Sequence, residues 1–234
     1  PLATSCPGFC EYCYLQTTLG PKPAVRVYVN IEEILEQAQK YIDERAPEIT
    51  VFEGAATSDP IPVEYLTGSL ERSIEFFAGT DLGRFRFVTK FGDVDSLLQI
   101  PHNGHTEIRF SLNTQKIIGE YEKGTAPLKE RIEAARKISL AGYPFGFLIA
   151  PIITYENWKK EYSKVIEKLA SLLSDGSNPS FELITHRFTK KAKSNIEKVF
   201  PESTLPMDEE ERQYKYGQFG YGKWVYPKET MAEI

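Results

Sequence analysis

Ile49-Thr50-Val51-Phe52-Glu53-Gly54-Ala55-Ala56 is the stretch that decides the fold. It is a short apolar run with β-branched and aromatic residues that breaks off at a glycine and two alanines, the pattern of a buried strand. Helical spacing follows from Val63 to Phe77, and a second strand-like run, Phe85 to Phe91, comes after it. Strand, helix and strand in that order make a βαβ unit with parallel strands. The pattern repeats outward from this unit. Upstream, Ile31 to Arg45 reads as a helix capped by Asn30, with Ile31, Ile34, Leu35, Ala38, Tyr41 and Ile42 on one face. Pro1 to Thr4 reads as the end of a first strand. Downstream come a short helix near Val94 to Leu98, a strand from Glu107 to Leu112, and helices near Gln115 and from Pro127 to Leu140. A strand from Phe145 to Ile152, a helix from Trp158 to Leu173, a strand from Phe181 to Phe188 and a helix from Lys190 to Val199 complete the series.

Six strands each followed by helix predict an α/β fold, a partial (β/α)6 barrel of parallel strands with outer helices. After Pro201 the alternation stops. An acidic stretch, Asp208 to Glu211, leads into Tyr214-Lys215-Tyr216-Gly217-Gln218-Phe219-Gly220-Tyr221-Gly222-Lys223-Trp224, where glycines between aromatics predict a β-hairpin. The expected organisation is one structural domain, with the barrel over residues 1–200 and a C-terminal extension carrying the hairpin over residues 201–234.

The 234 residues are 41% hydrophobic and 26% charged, enough for one large core. The net charge of −5 does not advertise nucleic-acid binding, so any such site must be a local patch. No run of about 18 apolar residues predicts a membrane span, and no signal-peptide pattern opens the chain. Because Pro1 falls at a strand end, a preceding segment is expected. The three cysteines all lie between positions 6 and 13. An odd number so closely packed cannot form a disulfide framework and points to metal ligation in a reducing cytoplasm.

Cys6-Pro7-Gly8-Phe9-Cys10-Glu11-Tyr12-Cys13 has the spacing C-x3-C-x2-C. Iron–sulfur clusters take thiolate ligands, and a four-iron cluster wants four of them. A loop offering three leaves one iron open to S-adenosylmethionine, whose reductive cleavage releases a radical able to abstract hydrogen from carbon. The competing reading is structural zinc with His102 or His105 as fourth ligand, but zinc sites pair their ligands at other spacings. The loop follows the first strand, and catalytic groups of parallel α/β folds gather at the carboxyl ends of strands. Other strand ends offer polar groups for the same face: Glu53 through Asp59, Thr89-Lys90, Ser111 with Asn113, and His186-Arg187.

The motif, with Tyr12 between the last two cysteines, resembles that of the radical S-adenosylmethionine superfamily, and the string from Pro1 to Leu19 resembles the spore photoproduct lyase family. The strings Ala46 to Thr50, Arg86 to Lys90, Phe181 to Lys190 and Lys215 to Lys223 extend that resemblance over nearly the whole chain. It implies repair of 5-thyminyl-5,6-dihydrothymine, a thymine photolesion of DNA, by an adenosyl radical formed at a [4Fe–4S] cluster on Cys6, Cys10 and Cys13. It also implies an external electron donor and the cytoplasm of a spore-forming bacterium. Tyr12 and Tyr14 match the family's radical relay, and Ser58, Lys90 and Ser111, with Asn113 and Tyr12, match its cofactor contacts. One departure stands out: the family's hydrogen-donor cysteine is replaced here by Ala56, in Ala55-Ala56-Thr57-Ser58-Asp59. An alanine cannot return a hydrogen atom, so an impaired, engineered variant is expected.

Tyr216, Gln218, Phe219 and Tyr221 offer stacking faces and a polar tip, flanked by Lys215 and Lys223. Enzymes that act on bases take them out of the stack, and inserted aromatic side chains hold the opened duplex. Arg187, Lys190, Lys191 and Lys193 form a basic cluster suited to phosphates. Asp59 and His186 are expected near the lesion. His102 and His105, in a Pro-Asn-Gly loop, are expected to be exposed. A monomer is expected. Two alternatives stay open: a radical enzyme acting on a peptide or small molecule, and a zinc-stabilised nucleic-acid-binding module.

Overall fold

Alternation along the strands builds the sheet. In Gly83–Thr89 (β5) every second side chain is buried, so Phe85 and Phe87 face the helices while Arg84, Arg86 and Val88 face the other way. The computed structural model describes residues 1–15, 24–172, 176–217 and 220–234. Five parallel strands stand in chain order: Thr50–Glu53 (β4), β5, Thr106–Leu112 (β6), Phe145–Ile152 (β8) and Ser180–Thr185 (β9). Neighbours in sequence are neighbours in space, and helices cross between them on one face, so the sheet curls into a half-barrel.

The core lies between that sheet and its helices. Leu35, Ala38 and Ile42 of Ile31–Arg45 (α1), Leu70, Ile74 and Phe77 of Ser69–Ala78 (α3), and Ala134, Ala135 and Ile138 of Leu128–Leu140 (α5) pack on Phe85, Phe87, Ile108, Phe110 and Phe147. Phe77 stacks on Phe85 with ring centroids 5.3 Å apart. Burial of such side chains contributes about 1.5–3 kcal/mol each.

The first strand departs from expectation in how it joins. Ala3–Thr4 (β1) pairs antiparallel with Arg26–Val27 (β3). It reaches the barrel through one parallel bridge, Ser5 to Ser58, with the Ser5 amide donating to the Thr57 carbonyl at 2.8 Å. The half-barrel ladder therefore has five strands, with the sixth laid against its rim. The expected helix from Val63 to Phe77 is two, Ile61–Thr67 (α2) and α3, broken at Gly68 in the left-handed conformation with φ 59°. Near Val94 the helix is a single 3-10 turn, Asp95–Leu97. The expected helix at Gln115 is Gln115–Tyr121 (α4), started by Thr114, whose side chain accepts from the Ile117 amide. Asn30 stands at the start of α1, but its amide donates to the Glu33 carboxylate instead of accepting from the helix backbone.

On the inner face Arg109 reaches Glu53 at 2.5 Å and Glu182 at 3.3 Å, and Arg86 meets Glu53 at 3.2 Å. The pairs tie β4, β5, β6 and β9 together across the concave side. Gly146 on β8 makes room for this layer, since a Cβ there would collide with Ser180 Oγ.

Gln213–Tyr216 (β10) and Gly222–Val225 (β11) form the antiparallel hairpin. Phe188, just past β9, exchanges two backbone hydrogen bonds with Trp224, at 2.7 and 3.1 Å. Arg212 clamps the hairpin base: it donates to the His186 and Pro206 carbonyls at 2.9 Å each, and its guanidinium lies 3.7 Å from the centre of the Tyr226 ring. No described helix is long and apolar enough to cross a membrane.

Candidate active site

The cysteine loop is fixed by backbone pairing. Phe9–Cys10 (β2) pairs antiparallel with Glu122–Lys123 (β7), so Cys10 stands opposite Glu122. The Glu11 amide continues the pairing to the Tyr121 carbonyl at 2.9 Å, and the Glu11 carboxylate accepts from Ser203 Oγ at 2.5 Å. Gly8 is needed for closeness: a Cβ there would fall 2.8 Å from Thr125 Cγ2 and 3.5 Å from Cys6 Sγ.

Cys10 is buried, while Cys6 and Cys13 are half-buried. Burial pushes the Cys6 thiol well up, and the Asp59 carboxylate adds to that. Burial pushes Cys10 up to about 12, against the pull of Lys90. Thiols so placed are inert unless a metal deprotonates them. Among the described residues no three Cys, His, Asp or Glu side chains converge closely enough for a single metal ion. A [4Fe–4S] cluster takes one thiolate on each of several irons, and the loop supplies three thiols. The donor set fits the cluster.

The histidines offer zinc no fourth ligand, and they are half-buried instead of exposed. His102 stacks on Tyr143 with centroids 3.7 Å apart; its Nε2 meets the Ala141 carbonyl and its Nδ1 accepts from the Gly104 amide. His105 Nδ1 meets the Phe77 carbonyl at 2.8 Å. His105 directly precedes β6, which puts it at the amino end of the strands, away from the cysteine loop at their carboxyl end.

Lys90 directly follows β5 and Ser111 lies near the end of β6, and the structure brings both beneath the cysteine loop. Lys90 Nζ donates to Ser111 Oγ at 2.8 Å and to Glu122 Oε1 at 3.0 Å, and lies 5.6 Å from the centre of the Tyr12 ring. The Tyr12 hydroxyl donates to the same Glu122 oxygen. The other Glu122 oxygen lies 2.7 Å from the Arg131 guanidinium, and the side chains of both residues are fully buried. Burial alone would raise Glu122, but Lys90 and Arg131 hold it below the ordinary carboxylate range. Arg131 also donates to the carbonyls of Ala126 and Ser111 and to Thr125 Oγ1. Neither Glu122 nor Arg131 stood out in the sequence: each is a common charged residue in an unremarkable context, one after the short α4 and one within the amphipathic α5.

The other candidates divide. Ser58 is buried, and its hydroxyl has no hydrogen-bond partner; an orphaned hydroxyl at a strand end is what a bound ligand would satisfy. The Tyr14 hydroxyl donates to the Ala56 carbonyl at 2.8 Å. Asn113 is fully buried and committed inside the protein, donating to the Pro151 carbonyl and accepting from Tyr162 and the Thr114 amide. Asp59 is also interior. It accepts from Thr89 Oγ1, the Lys90 amide and the Ile61 amide, and burial pushes it up to about 6 despite those donors. His186 is buried with Arg212 against Nδ1, and burial together with that charge pushes it down to about 3. Asp59 and His186 are thus buried and held by partners within the protein.

Arg187, Lys190, Lys215, Tyr216 and Tyr221 are exposed. Gln218 and Phe219 lie outside the described residues. A groove of about 780 Å³ runs between the hairpin and the end of β9, lined by Arg187, Lys215, Lys223, Lys228, Tyr214 and Tyr216 among others, with no carboxylate among the described residues of its wall. Lys190 and Lys193 each stand 3.9 Å from Glu209, which tempers that part of the basic cluster.

A parallel half-barrel with three thiols on the loop after its first strand defines the radical S-adenosylmethionine class. The family profile of spore photoproduct lyase matches residues 1–234. A spore photoproduct lyase of Clostridium acetobutylicum is 52% identical over 234 residues, covering 100% of this chain and 69% of that protein. One of Bacillus subtilis is 54% identical over 231 residues, covering 98% and 68%. A solved spore photoproduct lyase mutant with bound AdoMet and dinucleoside spore photoproduct superposes with a TM-score of 0.94 at 53% identity, covering 100% of this chain and 69% of that one. The chain belongs to the spore photoproduct lyase family, and it is a lyase of the radical class.

Proposed function

We propose that this protein reverses 5-thyminyl-5,6-dihydrothymine in DNA to two thymines, with Cys6, Cys10 and Cys13 holding a [4Fe–4S] cluster and S-adenosylmethionine as cosubstrate. One observation carries the reading: Lys90, Ser111 and Tyr12 gather under a loop that offers three thiols, the donor set of a four-iron cluster with one open iron. When bound, the pair would supply a 5′-deoxyadenosyl radical able to take hydrogen from an unactivated carbon; an external donor provides the electron.

The protein's part is to position and shield. Lys90 has two of its three N–H bonds committed, to Ser111 and Glu122, and turns the third to the cosubstrate carboxylate or ribose. Ser58 offers its orphaned hydroxyl from the neighbouring strand end. Tyr12 and Tyr14 flank Cys13 and serve as the redox relay. Tyr14 is tied to Ala56, the position from which family members return hydrogen to the product. Ala56 has no S–H to give, so the chain is impaired in that last step. The groove beside the hairpin takes the DNA backbone, with Arg187, Lys215 and Lys223 meeting phosphates, while the exposed Tyr216 and Tyr221 stack on displaced bases.

Anaerobic incubation of iron-loaded protein with S-adenosylmethionine and a lesion-bearing dinucleotide, followed by chromatography, tests this. Consumption of the lesion alongside release of 5′-deoxyadenosine is expected. Release of 5′-deoxyadenosine with the lesion untouched would point to another substrate.

A further inference from the structure

We propose that Glu122 is a positioning residue of this site, holding Lys90 and Tyr12 in fixed relation to the cysteine loop; the inference rests on the reading of the site given above. Three independent interactions meet at this one residue. Through its backbone it is the strand partner of Cys10. Through one carboxylate oxygen it receives both the Tyr12 hydroxyl and Lys90 Nζ. Through the other it faces Arg131, a guanidinium fixed by two carbonyls and a hydroxyl.

A lysine on a flexible four-carbon stem is a poor fixed point by itself. Here Ser111 and Glu122 hold its ammonium from two sides, and the Tyr12 ring lies 5.6 Å away. Because the carboxylate belongs to the strand that pairs with Cys10, any shift of the cysteine loop would carry Lys90 and Tyr12 with it. The loop and the cosubstrate-facing cation therefore move as one body. Glu122 acts through Lys90 and does not touch the cosubstrate.

The test is a double-mutant cycle on Glu122→Gln and Lys90→Met, read as S-adenosylmethionine affinity per loaded cluster from the change in the reduced protein's electron paramagnetic resonance spectrum. Residues that act as a unit give non-additive effects. Glu122→Gln is expected to weaken binding about tenfold, with the double variant no weaker than Lys90→Met alone. A purely structural role would lower cluster content and melting temperature while leaving affinity per cluster unchanged. That result, or full additivity, would overturn the proposal. Should Glu122→Gln not fold, Glu122→Asp keeps the charge but withdraws it by one methylene, and unchanged affinity per cluster there would overturn the proposal equally. Wild-type protein that loads no cluster or binds no S-adenosylmethionine would overturn the reading of the site itself. Wild-type binding with an unaffected Glu122→Gln removes only the role of Glu122.

Discussion

The Tyr14 hydroxyl donates to the backbone carbonyl of Ala56 at 2.8 Å, which joins the cysteine loop to the rim of the second barrel strand. Ala56 is exposed there, so a larger side chain has room. Ala56→Cys would place a thiol, a weak S–H donor, beside the Tyr14 hydroxyl. We predict that this variant raises the thymine share of the products several-fold over the unaltered chain at equal lesion consumption. Product chromatography decides it. Equal thymine yield from both chains would contradict the impairment assigned to Ala56.

Arg131 and Glu122 form a buried ion pair with no exposed side-chain surface. Removing Arg131 leaves the buried Glu122 with Lys90 as its counter-charge and takes the donor from the Ala126 and Ser111 carbonyls, and breaking such a buried pair costs about 3–5 kcal/mol. Arg131→Ala is predicted to lower unfolding free energy by about that amount, measured by urea denaturation. A drop below about 1 kcal/mol, the scale of a surface pair, would mean that the pair is solvated in solution.

His186 couples stability to pH. Burial and the Arg212 charge hold it near 3, while the unfolded chain's histidine titrates near its ordinary value of 6.5. The folded state binds no proton on this ring while the unfolded state gains one. Its contribution is therefore present above pH ~6.5 and falls as pH drops toward ~3, by up to about 1.4 kcal/mol per pH unit. His186→Gln, which keeps a hydrogen-bond acceptor for Arg212, is predicted to flatten the acid limb of the stability profile between about pH 4 and 6. Urea midpoints that fall in parallel for both proteins would contradict this.

The parallel half-barrel was legible in the sequence because strands such as Phe85 to Thr89 carry a two-residue alternation and the helices after them a clear apolar stripe. The cysteine loop was legible because its spacing is a local property. Strand one was harder: whether Pro1 to Thr4 enters the ladder or rests on its rim depends on pairing with Arg26–Val27, a nonlocal interaction that no pattern announces. Glu122 was invisible for the same reason, since its role arises from meeting Cys10, Tyr12, Lys90 and Arg131 in space. Asp59 and His186 were legible as strand-end residues, but a strand end does not say which partners a side chain takes. Both are buried, with Thr89 donating to Asp59 and Arg212 beside His186.

The groove beside the hairpin makes a salt-dependence prediction. Arg187, Lys215 and Lys223 line it without an opposing carboxylate among the described residues. Removing one cation from a phosphate should reduce the slope of log affinity against log salt by about 0.9 on duplex DNA. Arg187→Ala, Lys215→Ala and Lys223→Ala are each predicted to weaken DNA binding and flatten that slope while leaving iron content unchanged. Tyr221→Ala should weaken binding with the slope intact, because stacking releases no counterions. Fluorescence anisotropy over a salt series separates these outcomes, and an unchanged slope in all three charge variants would move the DNA elsewhere.

The most direct test of the account is the metal content of anaerobically reconstituted protein, measured as iron and sulfide per chain together with the electron paramagnetic resonance spectrum after reduction. The account predicts about four irons and four sulfides per chain, a spectrum that changes when S-adenosylmethionine is added, and loss of both in Cys6→Ala, Cys10→Ala and Cys13→Ala. A single tightly held ion per chain, with no response to S-adenosylmethionine, would contradict it.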